Sequence, residues 1–499
     1  MSSCKKEYIL EQQTPMIHFQ YDEQGVCLRA SEVKPKLDKF IVKQVGGREK
    51  ILNDHQDWLL GDIKNLSLTE GTPFPLNYKL IIRATGEPQR SNTVNKAISA
   101  EIKREASQRV GAWNNEEQRK KKKEIDEEKN IIIKQLIKKN ILPADFVKEN
   151  EAPIAKSYFG NMVSRKGSIE ETIESIRKSY KETVFQDNIS MSINCFNKSL
   201  MQTIEELIPA FFLLHNFGTR QNKGFGSFKL VSDAEYDVVK TIAKYAPASI
   251  YAKDIYKMGD YNNALEDIVM VYNLMKSGIN YTNINKNKNM NMNMNKDDYF
   301  RGFIYRYFHK KELGNDKAFV KQKVIPHKYS VLKGESLNGF KEYRYVRGML
   351  GINDGVYYRD VNEQTSTHSE DGIERFASPI IFKYIDKSIF LIPQEIPAKM
   401  FNTTFYIWDS KTENEFKKLK SDDEKKLFFD KNKKFRIKTP KREEFSIDEF
   451  MESFMNDFND KKTAKGGRIG IEGAKNSAFD RLKNIIFQSV LDEKGGKGV

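Results

Sequence analysis

A glycine-rich segment at residues 216–228 (NFGTRQNKGFGSF) combines three properties that phosphate recognition needs: flexible backbone, amide groups and positive charge. Gly224 and Gly226 can adopt conformations closed to other residues, so the main chain can approach a ligand closely. Successive amides in such a turn can bind an anion, with Arg220 and Lys223 beside them. Phe225 could stack on a base or a sugar. The segment predicts phosphate binding, with a simple tight turn between a helix and a strand as an equal alternative.

Two familiar nucleotide-binding loops do not fit this segment. The spacing G-x-x-x-x-G-K-[ST] of nucleotide-hydrolysing P-loops is absent, and so is the dinucleotide spacing G-x-G-x-x-G. The segment therefore predicts neither nucleotide hydrolysis nor a dinucleotide cofactor.

Histidines are the candidates for RNA cleavage without metal, because a base must reach a ribose 2′-hydroxyl. His18, His215, His309 and His327 are available, and none has a convincing partner in the sequence. His215 ends an apolar helical segment, where a cation favourably meets the helix C-terminus. The carboxylates at residues 124–128 belong to a charged helix, and no His or Cys spacing indicates zinc. We expect no active site, no metal and no cofactor.

The charge balance favours polyanionic partners. The 499 residues contain 84 Lys and Arg against 69 Asp and Glu, for a formal charge of +15, which concentrates nucleic acid near the protein. No stretch approaches the roughly 20 apolar residues of a membrane span, and no signal peptide is visible. Three widely spaced cysteines support no disulfide framework. We expect a cytoplasmic protein without membrane contact.

Helices and strands must position the glycine-rich segment. Apolar spacing predicts a buried helix at residues 199–215, kinked near Pro209 and preceded by a strand at 188–196. Strands at 6–20 and 78–84 are expected in one sheet, with a helix between them that Ser31 caps and in whose first turn Pro35 lies. Lys36, Lys39 and Lys43 share one face of this helix.

The patterns of the remaining segments predict insertions and a second module. Residues 97–165 predict a charged helical insertion containing a long exposed helix and the basic run 119–123. Residues 240–278 predict a helix, and the Asn, Lys and Met tract at 283–296 predicts a disordered loop. Strands are expected at 342–349, 379–384, 389–393 and 402–408, a basic connector at 411–442, and a terminal helix at 474–491.

Three segments resemble the RAMP superfamily of CRISPR proteins. The buried helix followed by Gly, Arg and GFGS is similar to the glycine-rich loop of that superfamily. The segment TPMIHFQYDEQGVCLRASEVKPKLDKFI at 14–41 resembles the N-terminal strand and Leu-Arg motif of the first subunit of type III-B (Cmr) effector complexes. ERFASPIIF at 374–382 is similar to an Arg-x-x-Ser-Pro strand entry in the second half of such proteins. Lys36, Lys39 and Phe40 stand where that family usually has Gly and aromatic residues.

The resemblance implies an α+β fold: two ferredoxin-like (RRM-like) modules with antiparallel sheets, helical insertions and Gly-rich loops. The expected segments are an N-terminal module at 1–235, a helical segment at 236–325 and a C-terminal module at 326–499. It also implies a set of RNA-binding residues near the glycine-rich loop and in the second module. These are Arg29, Ser31, Lys36, Lys39, Gly218, Arg220, Lys223, Gly224, Phe225, Gly226, Ser227 and Arg375.

The implied function is that of a non-catalytic subunit at one end of a type III-B CRISPR effector complex in antiviral defence. Its partners are guide RNA, complementary target RNA and other type III subunits. Two alternatives stay open: a metal-independent endoribonuclease that processes guide RNA, and an unrelated basic nucleic-acid-binding protein whose Gly-rich loop is only a turn.

Overall fold

The structure is a computed structural model, and it describes most but not all of the chain. The described residues are 4–17, 28–61, 74–90, 93–112, 115–144, 146, 167–179, 183–231, 236–282, 297–327, 340, 342–352, 355–358, 361–373, 375–460, 482 and 484–492. His18, the tract 283–296 and much of the expected terminal helix lie outside them. The chain forms two compact units: the first comprises Met1–Tyr236, Tyr256–Glu266 and Tyr384–Asp386, and the second comprises Asp237–Ile255, Asp267–Lys383 and Lys387–Val499. The expected three-segment division stays a prediction.

The first half of the chain alternates strands and helices around one sheet and one helical insertion. Its elements are β1 (Lys5–Gln12), α1 (Ala30–Gln44), α2 (Arg48–Asp54), β2 (Lys79–Ala84), β3 (Gln89–Arg90), α3 (Thr93–Arg109), α4 (Asn115–Lys120), α5 (Lys122–Lys138), α6 (Ile169–Ser179), β4 (Val184–Phe185), β5 (Ile189–Asn194), α7 (Lys198–Leu214) and β6 (Phe228–Val231).

The sheet of the first unit has the strand order β2–β5–β1–β6, and every neighbouring pair is antiparallel. The two strands expected to share a sheet, β1 and β2, do so with β5 between them. Alternate residues of β1 are buried because one face of the sheet packs on helices, with Leu10 opposite Ile189 and Leu230. The helices α1 and α7 also pack against each other.

The helix α7 follows its apolar pattern as expected. Leu200, Ile204, Ile208, Phe211 and the other predicted core positions are buried. Asn197 caps the helix, since its side chain accepts a hydrogen bond from the Leu200 amide at 3.0 Å. Pro209 lies inside the helix.

The start of α1 differs from the prediction. Its N-cap residue is Arg29, which makes no side-chain capping bond, so Ser31 lies in the first turn and does not cap the helix. Pro35 is the sixth residue of the helix and lies in its second turn, whereas the first turn was expected. The apolar face is as predicted, with Val33 and Leu37 fully buried.

The charged insertion is a small helical bundle. Its long helix α5 exposes a charged face, as expected, and buries Ile125, Ile132, Ile133 and Leu136 on the other. The helices α3, α5 and α6 enclose a hydrophobic core of their own, which includes Ile102, Ile132 and Ile173. A short antiparallel ribbon formed by β3 and β4 joins this bundle to the chain. Arg119 and Lys120 of the basic run are exposed at the end of α4.

The remaining elements run from residue 238 to residue 489. They are α8 (Val238–Tyr245), β7 (Ile250–Ala252), α9 (Tyr261–Lys276), β8 (Ile279–Thr282), β9 (Asp297–Phe300), α10 (Phe303–Lys310), β10 (Gly314–Asn315), α11 (Asp316–Phe319), β11 (Tyr343–Arg344), β12 (Gly355–Tyr358), β13 (Glu363–Ser369), β14 (Ile380–Ile385), β15 (Ser388–Pro393), β16 (Thr404–Asp409), α12 (Ser410–Phe416), α13 (Asp422–Lys431), β17 (Arg436–Lys438), α14 (Ile447–Asn459) and β18 (Gln488–Ser489).

Two larger sheets organise these elements. One has the order β10–β11–β17–β16–β13–β12, and the other has the order β14–β15–β7–β18. The first is mixed, because β11 pairs in parallel with both β10 and β17, whereas the expectation was of antiparallel sheets. The strands expected near 379–384, 389–393 and 402–408 are present as β14, β15 and β16. The chain is therefore an α+β protein.

Two helix predictions were wrong in part. The helix expected over 240–278 is interrupted by β7, whose three residues are all buried in a sheet. The end of the expected terminal helix is instead β18, which pairs with β7. In both places sheet pairing outweighed a helical apolar pattern. Within the described part of the chain, no helix has the length and apolar character needed to cross a membrane.

Candidate nucleic-acid interface

The glycine-rich loop is anchored to the residues that follow β1. Thr14 Oγ1 donates to the Gly224 carbonyl at 2.6 Å and accepts from the Ser227 amide at 2.9 Å. The Gly226 amide donates to the Pro15 carbonyl at 2.9 Å. These bonds join segments about 210 residues apart in the chain and fix the loop in one conformation.

The glycines of this loop are needed for close packing. At Gly226, whose φ is +67°, a Cβ atom would lie 2.0 Å from the Phe217 carbonyl oxygen. At Gly218, whose φ is +79°, it would lie 2.6 Å from the Ile17 carbonyl oxygen. Any other residue would combine an unfavourable backbone conformation with a steric clash. The glycines are therefore explained by the fold of the loop itself.

The second half of the loop is buried, contrary to the prediction. Phe225 is 1% exposed, Ser227 is fully buried and Lys223 is 8% exposed. The Phe225 ring offers no face to a base, so the expected stacking was wrong for this conformation. The amides of Gly218 and Gly226 donate to protein acceptors, respectively Glu32 Oε1 at 2.6 Å and the Pro15 carbonyl at 2.9 Å. The turn interpretation describes residues 223–228 better than the phosphate-binding one.

The first half of the loop, residues 219–222, is partly exposed. Arg220 has a φ of +58°, in the left-handed region. Of the eight non-glycine residues with positive φ in the described part of the chain, six are Asn or Asp, which tolerate that region; Arg220 is one of the two exceptions. Such conformations persist where surrounding contacts enforce them. Here the left-handed conformation of Arg220 sets the direction in which its side chain leaves the loop.

Lys36 connects α1 to this exposed part of the loop. Its Nζ atom donates to Gln221 Oε1 at 2.7 Å, to the Asn216 carbonyl at 3.2 Å and to Glu32 Oε1 at 3.3 Å. An ammonium group has three hydrogens to donate, and these three acceptors match them. Burial lowers the pKa of Lys36, while the nearby Glu32 carboxylate raises it. The prediction placed Lys36 near the loop, where it lies, but its contacts make it a positioning residue.

Exposed and partly exposed basic residues lie on α1 and in the loop that Lys36 joins to it. Ser31 and Lys39 are exposed on α1, Arg29 is partly exposed at its start, and Lys43 is exposed one turn beyond Lys39. Lys39 and Lys43 are four residues apart, so they are neighbours on the helix surface. We call Arg29, Ser31, Lys39, Lys43 and residues 219–222 the α1 surface. It holds four basic residues, counting Arg220.

Arg375 lies elsewhere, in the second unit, where it is exposed. Its neighbour Phe376 accepts a hydrogen bond from the Ile352 amide at 2.9 Å, and Ser378 Oγ accepts one from the Ile380 amide at 3.3 Å. Ser378 therefore shapes the entry into β14. Glu374 lies outside the described residues.

The histidines among the described residues have mainly structural contacts. His215 Nδ1 lies 2.9 Å from the Phe211 carbonyl, and the ring packs on Phe40 with centroids 5.4 Å apart. The His309 ring packs edge-on against Phe340. Among the described residues, no group of three or more His, Cys, Asp or Glu side chains is placed to hold a metal ion.

Sequence reasoning missed Thr14 and Glu32, which help Lys36 to tie the loop to the end of β1 and to α1. The sequence carried a signal for Glu32, because it precedes Lys36 by four residues and such pairs attract on a helix. Thr14 carried none, since its partners lie about 210 residues away.

The comparisons with known proteins identify the family. The model of the Cmr1 N-terminal domain matches residues 3–145 and again residues 96–279, and the model of the Cmr1 C-terminal domain matches residues 299–483. No curated protein matches the chain. The apo crystal structure of Cmr1 from Pyrococcus furiosus is 11% identical in sequence, with 79% of this chain and 90% of that chain covered and a TM-score of 0.31. The family models alone show that the chain belongs to the Cmr1 family of RAMP proteins, which are subunits of type III-B CRISPR effector complexes.

Proposed function

We propose that this chain binds RNA through its α1 surface and contributes no catalytic group of its own. In this proposal it contacts guide RNA, complementary target RNA or both at one end of a cytoplasmic type III-B assembly that acts in antiviral defence. The observation that carries the proposal is that exposed Lys39 and Lys43 lie on the same helix that Lys36 joins to the partly exposed Arg220 segment.

A ferredoxin-like module in the first unit is part of the proposal. The supporting observation is the order of elements β1, α1, β2, β5, α7 and β6, a β–α–β–β–α–β sequence, once the helical insertion is set aside. The antiparallel strand order β2–β5–β1–β6 agrees with that module. The second four-stranded sheet supports a second module of this kind. Numbered in chain order, its strands β7, β14, β15 and β18 lie in the order 2–3–1–4, which is also the order of β1, β2, β5 and β6 in the first sheet.

Contacts from lysine and arginine to phosphates are electrostatic, so they carry little sequence information. Each phosphate contact releases counterions, and affinity therefore falls steeply as salt rises. The α1 surface offers four long cations, Arg29, Lys39, Lys43 and Arg220, and the formal charge of +15 adds a general attraction for RNA. We expect binding that tolerates changes of RNA sequence and weakens strongly with salt.

The test compares the chain with a variant in which Lys39→Gln, Lys43→Gln and Arg220→Asn are combined. Asparagine at 220 removes the charge and still tolerates the left-handed backbone. Fluorescence anisotropy with two unrelated single-stranded RNAs, over a range of salt, should show affinity lower by about tenfold or more and a salt slope smaller by about 2–3.

The matched control is Lys240→Gln with Lys244→Gln, two exposed lysines four residues apart on α8. It changes nearly as much charge at a different place, so it should leave affinity close to that of the unchanged chain. If the control and the test variant lose RNA affinity equally, net charge explains the loss and the α1 surface is not the RNA-binding site.

A further inference from the structure

Two cysteines lie opposite each other at one end of the sheet in the first unit. The register of β1 and β5 pairs Lys5 with Asn194, so the next pair outward is Cys4 with Cys195. The Cys195 amide donates to the Cys4 carbonyl at 2.9 Å, which shows that the ladder continues to this pair. Strand pairing has therefore brought together two thiols that are far apart in the sequence.

The spacing of such a pair suits a disulfide bond. Directly opposed residues of antiparallel strands have side chains on the same face of the sheet. The Cα atoms of a hydrogen-bonded pair are about 5.5 Å apart, within the roughly 4.4–6.8 Å that disulfides span. The Cβ atoms, at about 4.5–5.5 Å, must approach slightly to reach the roughly 3.5–4.5 Å of a disulfide. Cys4 can make this approach, because it precedes the first residue of β1.

The two thiols differ in their surroundings. Both are free, with Cys4 exposed and Cys195 buried. The Cys195 thiol donates to the Asn197 carbonyl at 3.3 Å, which holds it in place. Burial raises the pKa of the Cys195 thiol, and the nearby Cys4 raises it further. An oxidant in solution therefore reaches Cys4 first, and Cys195 is kept beside it as a protonated thiol.

We propose that Cys4 and Cys195 are a redox-sensitive pair, which a peroxide converts to a disulfide that ties β1 to β5. The Cys4 thiolate attacks one peroxide oxygen, the O–O bond breaks, and the other oxygen leaves as water after taking a proton. Cys4 is then a sulfenic acid. The Cys195 sulfur attacks the Cys4 sulfur, the S–O bond breaks, and the hydroxide leaves as water with the Cys195 proton. In total, two thiols and one peroxide give one disulfide and two waters.

The bond acts on the centre of the sheet. In the strand order β2–β5–β1–β6, β1 and β5 are the two inner strands. A covalent link between them restricts the unfolded chain and opposes separation of the strands. A disulfide that forms only after a slight approach of the strands is also more easily reduced than a relaxed one. Such a bond suits a reversible response in a reducing compartment, and it does not depend on RNA binding.

The experiment treats the full chain with hydrogen peroxide and maps its tryptic peptides by mass spectrometry without reduction. We expect the peptides that contain Cys4 and Cys195 to be joined, with the loss of two hydrogen atoms, and dithiothreitol to separate them. Cys4→Ser, at an exposed position, should abolish the link. Cys27→Ser is the matched control and should keep it; Cys27 lies outside the described residues. The same treatment in urea should give mixed pairings, because the strand register is then lost.

Amide hydrogen exchange tests the tie between the strands. Exchange in residues 5–12 should be at least about tenfold slower after peroxide treatment of the unchanged chain, and unaltered by it in Cys4→Ser. A link through Cys27, a link only between two copies of the chain, or oxidation of Cys4 without any link would each overturn the pair. A Cys4–Cys195 link that leaves the exchange of β1 unaltered would overturn the tie between the strands.

Discussion

Lys36 Nζ lies 2.7 Å from Gln221 Oε1, and this hydrogen bond joins the first helix of the chain to a loop 185 residues further on. The same ammonium group also reaches the Asn216 carbonyl at 3.2 Å. A charged group forms stronger hydrogen bonds than a neutral one, so Lys36 contributes strongly to the link between α1 and residues 216–222, together with Glu32, which accepts from the Gly218 amide at 2.6 Å. Arg220 lies next to Gln221, and its position therefore depends on Lys36.

Replacing Lys36 with Met should loosen the loop without emptying the space that the lysine stem fills. Each lost charged hydrogen bond costs about 1.5–3 kcal/mol where the acceptor stays buried, and less at partly exposed positions. We expect amide hydrogen exchange in residues 216–222 to become at least about tenfold faster. Mass spectrometry of the matching peptides measures this. Lys39→Met, on the exposed part of the same helix, should leave that exchange unchanged; equal acceleration in both variants would contradict the role of Lys36.

Gly226→Ala should destabilise the protein by much more than its backbone conformation alone requires. An alanine in the left-handed region costs about 1–2 kcal/mol, and here its Cβ would also meet the Phe217 carbonyl oxygen. The matched control is Gly372→Ala, because Gly372 has the same φ of +67° and no atom within 4 Å of the added Cβ. The urea midpoint should fall clearly further for Gly226→Ala. Equal shifts would show that the loop can relax around the added carbon.

Lys276 predicts a pH dependence of stability in the second unit. It is buried, and its Nζ donates to the Gly351 carbonyl at 2.7 Å. Burial, and next the Arg347 charge, lower the pKa of Lys276 to about 7, against the raising effect of Asp316. Between that pKa and the ordinary value of 10.5, the unfolded chain holds a proton that the folded chain lacks. The free energy of unfolding therefore rises with pH in this window.

Urea denaturation at pH 7, 8 and 9 measures this effect against a Lys276→Met variant, which has no amine to titrate. The unchanged chain should gain stability relative to the variant by up to about 1.4 kcal/mol per pH unit. The Met variant loses the bond to Gly351, but that loss is a constant offset and leaves the slope interpretable. A difference between the two proteins that stays flat from pH 7 to pH 9 would contradict the assigned pKa.

The purified chain should leave CRISPR repeat RNA intact when it is incubated without metal. The reason is that His215 and His309 pack against aromatic rings. His368, whose Nε2 lies 2.7 Å from Glu413 Oε2, stacks on the buried Trp408 ring, which is a structural setting. Gel analysis of labelled RNA is the measurement. Specific cleavage that disappears on His18→Ala or His327→Ala would instead favour the endoribonuclease alternative.

The sequence predicted the positions of individual helices and strands better than it predicted which side chains are buried. The apolar spacing of α7 predicted its position to within one residue at each end. The reason is that the buried residues of a helix recur in the sequence at the helical period. The family resemblance, and not the apolar spacing, placed Lys36 near the glycine-rich loop, where it lies. Phe225 was expected to face RNA and is buried, since composition cannot say whether an aromatic residue between two glycines points outward or into a core.

Longer-range pairing explains the other differences. Residues 250–252 fit a helical pattern locally, yet they lie between β15 and β18 in a sheet whose partners come more than 100 residues later. The surroundings of Arg375 were equally hidden, because the cleft beside it is also lined by Lys399 and Phe401, more than 20 residues further along the chain. Only the arginine itself carried a signal, through the Arg-x-x-Ser-Pro motif.

The bundle of α3, α5 and α6 has a hydrophobic core made entirely from residues between 98 and 176, whereas Leu10 of β1 pairs with Ile189 of β5. During synthesis the bundle can collapse as soon as its own residues leave the ribosome, but β1 has no central partner until nearly 180 further residues have been made. The insertion thus forms early between two halves of a sheet that closes late, and Thr14 receives its partners in the glycine-rich loop later still.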